Sequence, residues 1–224
     1  MVLGEERLVE VLTAPLDSIV DVDAQTLPPE EVLRRWRLPE SDLRALSRWG
    51  LPHDGIKTPD FQTESEPVLV PNVAGPFESR LITPEDRLYR LGGWGSWEGT
   101  PRMGAVAGDG RVLAIRDRPM TAQDVHRDLR WHYRHLHHPA VDFINSSVTH
   151  LVEISWRWRA VVRVVAAMEQ PPFDAPREVQ EAAVRRLEAY EWIVLQHVEK
   201  IDHQLRAVFP GSLWREVVTE LSGC

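Results

Sequence analysis

Five of the nine histidines fall between His126 and His138, with Asp128 among them. Imidazole nitrogens and carboxylate oxygens are what a zinc-type ion takes as ligands. On a helix, Asp128, His132 and His135 share one face at steps of four and three, which would suit a metal-dependent hydrolase built on the His126–His138 cluster. Zinc enzymes usually carry a tighter signature, such as two histidines around a glutamate on one helix, and that pattern is absent. The favoured reading is therefore a solvated, partly aromatic helix face, with no metal and no cofactor. His53, His150, His197 and His203 are scattered, and the last two read as polar flanks of a C-terminal helix.

Nucleophilic chemistry has less to stand on. The chain lacks a Gly-x-Ser-x-Gly elbow and a phosphate loop ending in Gly-Lys-Ser or Gly-Lys-Thr. Gly92-Gly93-Trp94-Gly95 has neither the spacing nor the following helix of a dinucleotide site. Ser146 and Ser147 are better explained as helix caps, and Cys224 is the last residue. No catalytic residue is assigned. The tryptophans divide into two kinds: Trp36, Trp49, Trp156, Trp158, Trp192 and Trp214 sit in helical patterns and read as packing, whereas Trp94 and Trp97 flank Gly95 in a loop with no evident core to fill. Trp94, Trp97 and Glu98 are thus candidate partner contacts, since tryptophan is enriched at binding hot spots.

These residues must be held by elements the pattern predicts. Leu8–Leu12 and Ile19–Val22 alternate apolar with polar residues and read as short edge strands. Leu43, Leu46 and Trp49 form a helix capped by Ser41 or Asp42 and stopped by Gly50. Phe61–Val73, Leu88–Gly92, Arg102–Val106 and Arg111–Ile115 read as strands, with Gly108-Asp109-Gly110 as a hairpin turn. Thr121–His138 is read as a helix. Val141–Met168 reads as a long spine helix beginning near Asn145, Ser146 or Ser147, and Arg177–Val208 as a second long helix carrying a seam from Ala183 to Val208. A proline-rich break separates them, so antiparallel packing is expected. A short helix around Leu213 and Trp214 closes the chain. The fold class is α+β, a central antiparallel sheet packed by helices, over one domain spanning 1–224 with residues 1–40 as an extension.

Composition narrows the function classes. At 224 residues and 43% apolar the chain can fill a core by packing alone, and one cysteine excludes a disulfide framework. Neither a secretion signal nor an apolar run of bilayer length is evident, so a soluble cytoplasmic protein without a membrane role is expected. The net charge of −8 argues against direct nucleic-acid binding and is compatible with a basic partner.

Four landmarks occur in order: Gly50-Leu51-Pro52 after the early helix; Tyr89-Arg90-Leu91-Gly92, opening a strand pair that ends in Gly110-Arg111-Val112; Phe143-Ile144-Asn145-Ser146-Ser147-Val148; and Ile201-Asp202 followed by Ser212-Leu213-Trp214 and Val217. Together they resemble the SUKH superfamily of immunity proteins, specifically its fourth, actinobacterial group, over about residues 41–221. The resemblance implies an α+β scaffold that neutralises a cognate polymorphic toxin, often a nuclease or deaminase, by binding and without a catalytic step. Covering the toxin's active site is the expected mechanism. Two stretches depart from the family pattern: Thr121–His138 is longer and more basic, and Trp94–Gly99 replaces a loop that is normally acidic and polar. Both bear on partner identity, because recognition belongs to variable loops on a common scaffold.

Overall fold

In the computed structural model, residues 2–95, 100–168, 171–172, 174–207, 212–219 and 221 are described. The chain opens with helices α1 (Val2–Thr13) and α2 (Leu16–Ile19), not with the two edge strands expected. Leu8 and Leu12 are buried one helical turn apart while Val9 faces solvent, so the alternation seen in sequence is resolved in favour of the 3.6-residue period. Strand β1 (Gln25–Thr26), helix α3 (Glu30–Leu33), helix α4 (Glu40–Trp49) and strand β2 (Leu51–Pro52) follow, with β1 and β2 paired. Gly50 ends α4 at φ +52°, a conformation costly for any side chain.

A five-stranded antiparallel sheet forms the centre. It comprises β3 (Lys57–Pro59), β4 (Leu88–Trp94), β5 (Arg102–Val106), β6 (Val112–Ile115) and β9 (Val141–Asn145), in that order across the sheet. Helix α5 (Glu78–Leu81) precedes β4, and a small pair, β7 (Met120–Thr121) and β8 (His137–His138), lies between β6 and β9. Every residue of β6 and β9 is buried, so the sheet is covered on both faces. The expected strand at Phe61–Val73 is absent except for a bridge between Leu69 and Leu88. Two prolines lie in that stretch, and the buried amide of Gln62 takes over strand-like pairing: it accepts from the Arg90 N–H and donates to the carbonyls of Glu64 and Glu66.

Three long-range expectations change at their ends. The spine divides at its start, where Val141–Asn145 is a sheet strand and helix α6 runs from Val148 to Ala166 with Ser147 as its cap, accepting from the His150 N–H at 3.1 Å. Pro39, not Ser41 or Asp42, precedes α4, and Asp42 turns inward instead. Helix α7 covers Arg177–Ile201 and stops where Asp202 adopts an extended backbone; a 3-10 turn, His203–Arg206, and helix α8 (Leu213–Thr219) follow. Of the expected seam, Ala183, Leu187, Tyr190, Val194, Val198 and Leu205 are buried, Ile201 is half-buried, and Val208 lies outside the described residues. Asp202, just past the end of α7, hydrogen-bonds Ser146 at the start of α6, so the two long helices run antiparallel.

Gly110 closes the β5–β6 hairpin at φ +79°, and a Cβ there would lie 2.0 Å from Oδ2 of the buried Asp42. Neither backbone nor carboxylate can give way cheaply. Gly110→Ala is expected to destabilise the fold by about 2 kcal/mol or more, read as a drop in urea midpoint at unchanged slope.

Candidate functional site

The first turn of a helix exposes N–H groups that need acceptors. In α6 this turn is half-buried, with Val148 covered and Ser147, Thr149 and His150 partly exposed, and side chains near and distant in sequence supply them. Ser147 caps locally. Asp42, wholly buried, accepts through Oδ1 from the Thr149 N–H at 2.9 Å and from its hydroxyl at 2.6 Å, while Oδ2 lies over Gly110. Asp202 accepts from the Ser146 N–H at 2.8 Å, the Ser146 hydroxyl at 2.9 Å and the Asn145 amide at 3.0 Å. Asn145 in turn accepts from the Trp214 indole N–H at 2.9 Å. Three of the sequence landmarks meet around this turn, through Gly110, Ser146 and Asp202, while the Gly50 carbonyl accepts from Trp156 about two turns farther along α6.

Ser146, His150 and Asp202 have the residue types of a hydrolytic triad without its geometry. His150 Nδ1 stands 2.9 Å from the Ser146 oxygen and 3.7 Å from Asp202, so both partners crowd one ring nitrogen. A working triad places serine and carboxylate on opposite nitrogens of the imidazole. Here the serine hydroxyl donates directly to the carboxylate, which is a capping arrangement.

Trp94 was expected in a loop and is instead the last residue of β4, only 7% exposed. It meets the Trp214 ring edge-to-face at 4.9 Å, and the fully buried Lys57 ammonium lies 4.9 Å from Trp214 and 5.7 Å from Trp94. Asp54 pairs with Lys57 at 3.0 Å. Burial lowers the Lys57 pKa against the opposing pull of Asp54. Trp94 is thus half of an aromatic cage around a buried cation, and the core that sequence could not show comes from α8, more than a hundred residues on. Trp97 and Glu98 lie outside the described residues.

The expected helix at Thr121–His138 is absent. The chain there forms an arm: β7 and β8 pair at its root, and 3-10 turns span Ala122–Asp124 and Arg127–Leu129. No residue from Asp117 to His138 is buried, so an amphipathic helix has nothing to pack against, and packing is where most helical stability arises. Local bonds hold the arm instead: a Thr121–Asp124 capping box, an Arg118–Asp124 pair, and Arg130 donating to the carbonyls of Gln123 and Val125. With the helix gone, the shared face of Asp128, His132 and His135 is gone too. Among the described residues no three His, Cys, Asp or Glu side chains gather to hold a metal. At the root, Arg116 pairs with Asp142 at 3.5 Å, and burial lifts the Asp142 carboxyl to about 6.

A second surface feature is a cleft of about 440 Å³ beside Phe77, Leu81, Phe143 and Ala207. Its Arg111 is committed to Asp109, Asp86 and the Leu81 carbonyl. Trp192, expected as packing, is 61% exposed on α7. Sequence reasoning named Asn145 and Ser146 only as caps and missed Asp42, Asp202 and Lys57 as buried charges; the one available signal was that Asp202 belonged to a landmark.

Two measurements test this node. Ser147→Ala should cost about 1 kcal/mol, as for loss of an N-cap. Asn145→Ala should cost more, roughly 2–4 kcal/mol, because it strands the buried Trp214 N–H and takes one donor away from Asp202; equal small losses in urea titrations would show that the node does not hold the helix start.

The pH dependence carries a definite sign. Asp202 raises the His150 pKa, with Glu153 and Asp42 adding to it against partial burial. That contribution is complete below the unfolded histidine value, roughly 6.5, and is lost as pH rises through the folded one. Burial opposes ionisation of Asp202, but bonds from His150, Ser146 and Asn145 outweigh it and hold its pKa at about 2. Its stability is present above the unfolded carboxylate value, roughly 3.9, and is lost as pH falls through the folded value. His150→Asn should therefore flatten the decline in Tm on the alkaline side and shrink the acid limb of Asp202 without abolishing it, because the Ser146 and Asn145 donors remain; an unchanged alkaline limb would remove His150 as its source.

Among the described residues, no helix is long and apolar enough to cross a membrane. No curated protein and no solved structure matches the chain. The family described as SUKH-4 immunity protein matches residues 11–216, which include Asp42, Gly110, the α6 start, Asp202 and Trp214. The chain belongs to the SUKH-4 immunity protein family.

Proposed function

We propose that this protein binds a cognate polymorphic toxin in the cytoplasm and neutralises it by covering its active site, without catalysis of its own. Family membership over residues 11–216 carries the reading. Two features support it. The buried acids Asp42 and Asp202 are used within the scaffold, and a net charge of −8 complements the positive substrate groove that a nuclease or nucleic-acid deaminase must present. Trp97 and Glu98, picked out by sequence, are proposed as contacts within this interface.

The test begins by screening the reading frames beside this gene for a domain that arrests growth when expressed alone, and uses that domain as the toxin. Co-expression should restore growth to cells making that domain, and the purified pair should form a complex with no toxin activity. Covering the active site predicts that toxin substrate and this protein compete for one surface. Growth arrest despite co-expression, with no complex on mixing, would refute the immunity reading. A complex that still binds substrate would refute the covering mechanism alone. Trp97→Ala should weaken the complex about 30-fold with Tm unchanged, and unaltered affinity would remove Trp97 from the interface.

A further inference from the structure

The arm from Asp117 to His138 stands apart from the core, yet its shape is fixed by its own hydrogen bonds. Its tip presents Leu129, Trp131 and Tyr133 at 47%, 72% and 49% exposure. The Arg134 guanidinium lies 4.7 Å from the Trp131 ring centroid, which props the indole in one orientation. Trp, Tyr and Arg are the residues that dominate binding energy at protein interfaces, and a side chain already held in place loses less freedom on docking. Nothing else in the described structure gathers exposed aromatics with arginines in this way.

Charge narrows the occupant. Val125–His135 carries Arg127, Arg130 and Arg134 against Asp128, a local balance of +2, and since the whole chain stands at −8 the remainder carries −10. A nucleic acid or an anionic membrane reaching for the tip would meet that acidic body at close range. A folded protein surface with a local patch of carboxylates need not. We propose that the arm is a docking element for the toxin, and that its occupant is an apolar pocket on the toxin rimmed by acidic side chains. The proposal rests on the toxin-binding reading above and adds where, and to what chemistry, the protein attaches. For a toxin that acts on nucleic acid, the basic tip of the arm does not enter a basic substrate groove. It seats beside the groove and leaves the acidic body to face it.

The experiment uses the 224-residue chain and a catalytically inactive form of the toxin domain identified by that screen. Trp131→Ala and, separately, Tyr133→Ala should each weaken binding, Trp131→Ala by about 30-fold, with Tm unchanged. Arg127→Glu should weaken it further at low salt than at high salt. Trp192→Ala, which removes an exposed tryptophan elsewhere, should change nothing. The proposal is overturned if wild-type protein binds the toxin and both arm variants bind equally well. It is also overturned if the variants instead lower the mass of a self-associated form, or release a single-stranded oligonucleotide, while toxin affinity stays the same. Wild-type protein that does not bind the toxin at all would sink the immunity reading and the arm with it, a result distinct from normal binding by the variants.

Discussion

The start of α6 is the constraint on which the rest of the structure depends. A helix whose first turn packs against the core brings unpaired N–H groups and the positive end of its dipole to a place water reaches only in part, and each buried donor left unmet costs about 1–3 kcal/mol. The protein answers with two buried carboxylates brought in from opposite ends of the chain. Asp42 arrives on α4 and bonds Thr149, while Asp202 arrives from the end of α7 and bonds Ser146 and Asn145. Each carboxylate is stabilised by the donors it satisfies, so the first turn of α6 and both acids are interdependent. The remaining geometry follows: α4 must pass over the β5–β6 hairpin, where only glycine fits at position 110, and α7 must run antiparallel to α6 and end at Ile201.

A second buried charge shows the same logic with the sign reversed. Lys57 is wholly buried, and its ammonium is held by Asp54 and the faces of Trp94 and Trp214. Trp214 also donates to Asn145, so the cage and the helix start share one side chain. Helix α8 is short, but it closes both. Trp36 stacked on Tyr89 at 4.7 Å, with the Tyr89 hydroxyl accepting from the Arg37 N–H, ties the α3–α4 connection to the sheet in a similar way.

A scaffold so occupied with its own polar groups leaves recognition to what projects from it. The arm has no buried residue and can vary in sequence without disturbing the node at α6. That division suits the proposed role, in which a stable framework carries a separate docking element.

What the sequence by itself determined is the part governed by local physics. The 3.6-residue seam of α7, the Gly108-Asp109-Gly110 turn, the strands that flank it, the Ser147 cap and the stop at Gly50 all follow from side-chain periodicity and backbone freedom within a few residues. The order of the landmarks pointed to the family. Tertiary structure decided everything that depends on a distant partner. Leu8 and Leu12 made a helix because α6 and α7 offered an apolar surface, while Thr121–His138 lost its helix because nothing did. Val141–Asn145 became a strand because β6 needed an edge partner. Trp94 was buried by a tryptophan 120 positions later, and the carboxylates of Asp42 and Asp202 acquired their role only when folding brought them to the same helix turn. Burial and electrostatic pairing act through space, and a linear pattern records only the half of each contact that lies along the chain.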